Sequence, residues 1–156
     1  MKYFFRKFNY KSKFSGNFIK LSNLFYKASE EYEDLFKKCK INKLKFIKEI
    51  LNKKNSELEE IILLLNYKEI IGLVTGFPEI QFKSRKLTSL LIIRNMTKTK
   101  NINEFIKKNL IEFNARKDGI YISRLAVSHK YQGKGIGTNL LNKFFKNAKK
   151  KQFNFI

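Results

Sequence analysis

Apolar positions along this chain follow two rhythms, a helical period of 3.6 residues and short unbroken strand-like runs. Phe18, Leu21, Leu24, Phe25, Ala28, Tyr32, Leu35 and Phe36 share one helical face, which predicts a helix over Phe18–Lys38. Ile41, Leu44, Ile47, Ile50 and Leu51 repeat the period and predict a second helix over Ile41–Asn52, ended by Asn55-Ser56. The β-rich runs Ile61–Leu65 and Ile70–Phe77 flank the polar turn Asn66-Tyr67-Lys68-Glu69, a hairpin pattern. Helical patterning returns over Ser84–Met96 and Ile102–Asn114, and Asp118-Gly119 turns the chain into an apolar strand, Ile120–Val127. Leu140, Leu141, Phe144, Phe145 and Ala148 then line one side of a helix that starts near Ile136.

With Tyr3–Asn9 as a first strand and Phe153–Ile156 as the start of a last one, the order is β, two helices, a hairpin, two helices, β, helix, β. That order predicts an α/β layered fold. No repeat, linker or Pro/Gly-rich boundary divides it, so residues 1–156 are expected to form a single domain. Gly72 and Gly76 interrupt the second hairpin strand. They mark a bulge, a close approach by another element, or relief of crowding.

An apolar fraction of 43% with 16 phenylalanines points to a packed core rather than disorder. The longest apolar runs, Ile61–Leu65 and Leu90–Ile93, are far short of the ~20 residues of a membrane span. The opening MKYFFRKFNYKSKF lacks the apolar core of an export signal, so a cytoplasmic protein is expected. Cys39 is the one cysteine and His129 the one histidine. That excludes disulfides, Cys/His metal centres and Cys-His pairs, apart from anything built on His129, and no metal is expected.

The net charge of +21 changes the picture less than its size suggests. Lysine supplies 29 of the 34 basic residues and is spread along the whole chain, in company with abundant Ile, Asn and Phe. That is the composition of an AT-rich coding sequence. No aromatic-plus-Arg stacking motif accompanies it, so non-specific attraction to polyanions is the expectation.

Three of the seven glycines, Gly133, Gly135 and Gly137, crowd the junction between strand and helix. N–H groups at a helix start lack internal partners and carry the positive end of the helix dipole. Glycine lets a phosphate approach them closely, and Lys134 adds charge. The string is not a P-loop, and Thr138 stands where a dinucleotide fingerprint needs its third glycine. By itself the cluster reads either as a phosphate cradle or as a plain strand-to-helix turn.

The segment YISRLAVSHKYQGKGIGTNLL resembles the central motif of the GNAT-superfamily N-acetyltransferases, whose [R/Q]-x-x-G-x-[G/A] signature is matched by Gln132, Gly135 and Gly137. The hairpin with IIGLVTGF and the two preceding helices agree with the family's element order. The resemblance implies a GNAT-like mixed central sheet flanked by helices. It also implies a fifth strand, a helix and two further strands that would follow Ile156, so the domain is expected to be incomplete at its C-terminus.

For function, the resemblance implies acetyl-CoA as co-substrate and direct acetyl transfer to a primary amine. Main-chain groups of Leu125 and Val127, either side of Ala126, would pair with the pantetheine arm. Amides of Gln132, Gly133, Lys134, Gly135, Ile136, Gly137 and Thr138 would hold the pyrophosphate. Some relatives carry a glutamate base on the strand matching Gly119–Val127, which here holds no carboxylate. Asp118 and Glu79 are the candidates to act through water. The acidic run Glu30, Glu31, Glu33, Asp34 reads either as a lure for a cationic acceptor or as a solvated helix face. Two other readings stay open, a basic nucleic-acid-binding protein and an inactive truncated remnant. The acceptor is a small-molecule or protein amine, and a homodimer or a complementing C-terminal fragment are the candidate partners.

Overall fold

The two apolar runs around Asn66–Glu69 form strands β2 (Glu60–Asn66) and β3 (Glu69–Pro78) in a computed structural model that describes residues 3–9, 17–97, 104 and 114–153. Asn66 pairs with Glu69, so the turn proper is Tyr67-Lys68, two residues tighter than the sequence suggests. Tyr67 adopts φ 52°, the left-handed conformation that a two-residue hairpin turn demands. Strand β1 (Tyr3–Asn9) pairs with β2, and β4 (Ile120–Val127) pairs with β3. The sheet order is β1-β2-β3-β4, and every pairing among the described residues is antiparallel.

One face of this sheet carries α1 (Phe18–Lys27), α2 (Glu30–Lys38), α3 (Lys43–Leu51) and α4 (Phe82–Met96). The rings of Phe25, Tyr32, Phe36 and Phe46 interlock there and bury against Ile61, Leu63 and Leu73 of the sheet. Asn17 and Asn42 start α1 and α3 by accepting the N–H of Lys20 and Lys45, each at 3.0 Å. The single helix expected over Phe18–Lys38 breaks at Ala28-Ser29. The cause is tertiary: Ser29 Oγ donates to Phe25 O at 2.7 Å and accepts Arg124 Nε of β4 at 2.6 Å.

The opposite face carries α5 (Ile136–Lys149), whose Ile136, Leu140 and Phe144 pack on Ile62, Leu64, Ile71 and Val74. This helix explains both strand glycines. A Cβ on Gly72 would lie 2.8 Å from Leu140, and one on Gly76 would lie 2.5 Å from Phe144. Each glycine also adjoins a bulge, Ile71 being the extra residue of β3 against β2, and Ser123 that of β4 against β3. The expected helix over Ile102–Asn114 and strand over Phe153–Ile156 fall almost wholly outside the described residues. Among those described, no helix is long and apolar enough to cross a membrane.

Candidate active site

Strand β4 ends at Val127, a single turn follows at His129–Tyr131, and α5 begins at Ile136. Ser128 donates its N–H to Ile71 O at 2.8 Å, which fixes the phase of the β3–β4 ladder. Hydrogen-bonded pairs alternate along an antiparallel ladder. Ala126, partnered with Leu73, therefore turns its main chain toward β3, whereas Leu125 and Val127 turn theirs to the outer edge. No described strand pairs with that edge.

Beyond the edge lies the glycine turn. Gly133 and Gly135 adopt φ 72° and 69°, and a Cβ on either would meet nothing within 4 Å. Among the described residues the turn thus opens on an uncovered hollow of about 470 Å³, lined by Val127, Tyr131, Gln132 and residues 135–138. Asn139 makes the first helical bond, to Gly135 O at 3.0 Å, so the N–H groups of Ile136, Gly137 and Thr138 precede it. No side chain caps α5 and its first turn has no acidic residue. Gln132 Nε2 donates to Val127 O at 3.1 Å and ties the turn to the strand.

Tyr131 anchors this turn from below. Its ring is buried, and its hydroxyl donates to Glu69 Oε2 at 2.9 Å and accepts Asn66 Nδ2 at 3.1 Å. Glu69 Oε1 in turn meets Lys20 Nζ at 2.7 Å and Lys130 Nζ at 3.0 Å. Hydrogen bonds from Lys20, then Lys130 and Tyr131, hold the Glu69 carboxyl down at about 2, and the same carboxylate raises Lys130 above its ordinary range. Lys130 and Lys134 lie over the Tyr131 ring, 5.0 and 5.7 Å from its centre.

A second network holds the bulge of β4. Glu57 is 2% exposed; it accepts Tyr32 OH at 2.6 Å and Ser123 Oγ at 3.2 Å and pairs with Arg124 Nη2 at 3.2 Å. Arg124 also donates to Ser123 O at 2.6 Å and lies over the rings of Phe25 and Tyr32. The two side chains at the bulge, Ser123 and Arg124, therefore leave the strand on the same, helix-covered side.

The model of the acetyltransferase (GNAT) family matches residues 23–156. The chain belongs to this family. It is an enzyme of the GNAT acyltransferase class, whose members use acetyl-CoA as co-substrate. A crystal structure described as an acetyltransferase superposes with a TM-score of 0.61 at 14% identity, covering 95% of this chain and 75% of that one. An N-acetyltransferase from Staphylococcus aureus Mu50 gives 0.58 at 14% identity, covering 92% and 75%. At that identity the likeness is one of fold. No curated protein matches the sequence.

Within this GNAT domain, Leu125, Val127, Gln132, Gly133 and residues 135–138 come together around one edge and one hollow, whereas the Lys134 ammonium lies over the Tyr131 ring. Ala126 does not join them, because its main chain serves β3 and its side chain is buried against the helices. Glu79 and Asp118 stand at the far end of β4, where Pro78 pairs with Ile120, about 23 Å of strand from Val127. The Glu79 carboxylate is engaged by Arg116, through the guanidinium at 3.0 Å and the backbone N–H at 2.9 Å, and these bonds lower its pKa. That is the chemistry of a clamp closing the start of β4.

Of the acidic run, Glu33 pairs with Lys37 at 3.1 Å, and the side chains of Glu30, Glu31 and Asp34 lie outside the described ones. Sequence reasoning missed Glu57, Tyr32 and Glu69. Glu57 sits in the run SELEE, which reads as a polar lead-in to β2. Among the described residues no cluster of three or more His, Cys, Asp or Glu could hold a metal ion.

Proposed function

We propose that this enzyme transfers the acetyl group of acetyl-CoA directly to a primary amine. The observation that carries the reading is the outward-facing main chain of Leu125 and Val127 running straight into an uncapped helix start. An amide-rich arm suits the open strand edge as an added strand. A diphosphate suits the N–H groups of residues 132–138, where bare glycines leave room that a Cβ would fill.

Acetyl-CoA supplies the acetyl group as an activated thioester. The chain's part is to orient it and to manage charge. From Val127 an arm along β4 reaches the bulge at Ser123 after about 13 Å. Just short of the bulge, the outward N–H of Leu125 would donate to the carbonyl oxygen as negative charge develops on it. The amine, with an ordinary pKa near ~10, must lose a proton before it attacks. Glu57 is committed to Arg124, Tyr32 and Ser123, so it positions the bulge and leaves proton removal to water at the open edge. As the C–N bond forms the C–S bond breaks, and the departing thiolate takes up a proton from the same water.

Isothermal titration with acetyl-CoA tests the reading. One-to-one binding that is lost in Gly137→Leu supports it, as does amine-dependent release of free thiol. No heat and no shift in melting temperature at millimolar acetyl-CoA would overturn it.

A further inference from the structure

Beside the glycine turn, on the other side of β4, lies a hollow of about 410 Å³, the size of a small-metabolite site. Lys20, Asn23 and Lys27 of α1, Glu33, Lys43 and Ser128 line it. Ser128 directly follows Val127 of the glycine hollow, so the two cavities meet at consecutive residues. Helix α1 tracks β4 along this hollow. Its Lys20 reaches Glu69 near the end of the strand, and Ser29, just past its C-terminus, reaches Arg124 at the bulge. Lys27 therefore lies toward the bulge, where the thioester is expected.

Among the described residues the lining charges are unbalanced. Lys20 is paired with Glu69, and Glu33 with Lys37. Among the described residues neither Lys27 nor Lys43 forms an ion pair. The Lys43 ammonium sits 4.8 Å over the Tyr26 ring. Lys43 is also the first residue of α3, which has no acidic residue in its first turn, so the helix dipole adds to the positive potential there.

We propose that the acceptor is a small amine carrying a carboxylate or phosphate, and that Lys27 and Lys43 receive this anionic group. The proposal rests on the acetyl-transfer reading and deepens it. Two ammonium groups facing the acceptor also disfavour its protonated form. They thereby assist the one step for which β4 supplies no carboxylate. It is the opposite of the cationic acceptor, which is one of the two readings of the acidic run.

The test begins with acetyl-CoA titration of the wild type, since failure there defeats the acetyl-transfer reading itself. Thiol release is then compared for phosphoethanolamine against ethanolamine and for β-alanine against β-alaninamide. The anionic member of each pair should have a kcat/KM higher by about tenfold or more, and Lys27→Glu with Lys43→Glu should abolish that preference. The affinity of the double variant for acetyl-CoA should stay within about twofold. Equal rates for the paired amines, a preference for the neutral member, or a preference that survives charge reversal would overturn the proposal. So would a variant weakened toward acetyl-CoA but not toward its 3′-dephospho analogue, because the lysines would then serve the coenzyme's own phosphate. Thermal stabilisation of the CoA-loaded protein by the same amines gives a second readout, and no stabilisation by the anionic members counts against the proposal.

Discussion

Arg124 of β4 and Glu57, three residues ahead of β2, form an ion pair at 3.2 Å with 7% and 2% of their surfaces exposed. Both are buried under the helices rather than at the outer edge of β4, yet both shape that strand. They hold the side chains of the β4 bulge on the helix-covered face, and the strand's phase beyond the bulge decides which residues turn their main chain outward. Ser29, taken from the helical run to accept Arg124, is part of the same arrangement.

Breaking the pair should be severe. Arg124→Met takes away the guanidinium that the buried Glu57 carboxylate meets at 3.2 Å, and Glu57→Gln takes away the charge of that carboxylate. Removing one partner of a buried ion pair costs about 3–5 kcal/mol. Urea titrations of either variant should show a loss of that order, with a smaller loss in the double variant Glu57→Leu/Arg124→Met. Single-variant losses under 1 kcal/mol would show that the pair is not what fixes the bulge.

Gly137→Leu separates ligand binding from folding. Gly137 has an ordinary negative φ, and a Cβ there would find Val127 Cγ2 at a comfortable 3.9 Å. Stability should stay within about 0.5 kcal/mol of wild type. The new side chain enters the hollow beside the helix-start N–H groups, so acetyl-CoA affinity should fall by about tenfold or more. Calorimetric titration alongside thermal melts reads both quantities.

The sequence reveals the parts of the fold that local rhythm dictates. The hairpin, β4, α5 and the glycine turn each follow from a pattern that spans fewer than twenty residues. What it hides depends on contacts between distant segments. The break at Ala28-Ser29 is set by Arg124, 95 residues on. The buried Glu57 meets its partners at positions 32, 123 and 124, and no local period links them. The outward aim of Leu125 and Val127 follows from the ladder phase that Ser128 sets on Ile71, which is a property of two strands together. The distance of Asp118 and Glu79 from the glycine turn follows from strand register in the same way.

Acid should loosen the glycine turn through Glu69. Its pKa is depressed from the ordinary glutamate value to about 2, chiefly by Lys20 and then Lys130. A carboxyl depressed on folding contributes stability that is complete above its unfolded pKa and is lost as pH falls through the folded one. The contribution of Glu69 should therefore be full at neutral pH and fade from about pH 4.5 to about pH 2. Glu69→Gln should be less stable than wild type at pH 7, with the difference closing over that acid window. Melting curves collected as a function of pH check the sign. A gap that widens on acidification would contradict the assignment.

Two glycine-to-alanine changes test why the chain places its scarce glycines as it does. At Gly76 the added methyl would run into Phe144 of α5 at 2.5 Å and into the Tyr121 carbonyl across the bulge. Backbone cannot move aside cheaply, so Gly76→Ala should cost about 1–3 kcal/mol of overpacking. At Gly133 the methyl meets nothing within 4 Å, and only the positive φ of 72° resists it, which costs about 1–2 kcal/mol. The penalties overlap in size but differ in consequence. Gly76→Ala loosens the packing of α5 on β3 while leaving residues 132–138 their shape, so acetyl-CoA affinity should persist below the lowered melting temperature. Gly133→Ala strains the turn itself, and its affinity should drop even where the protein is fully folded. Unfolding and acetyl-CoA titration on both variants separate the two roles, and equal loss of affinity in both would mean that the glycine turn and the α5 seat are one mechanical unit.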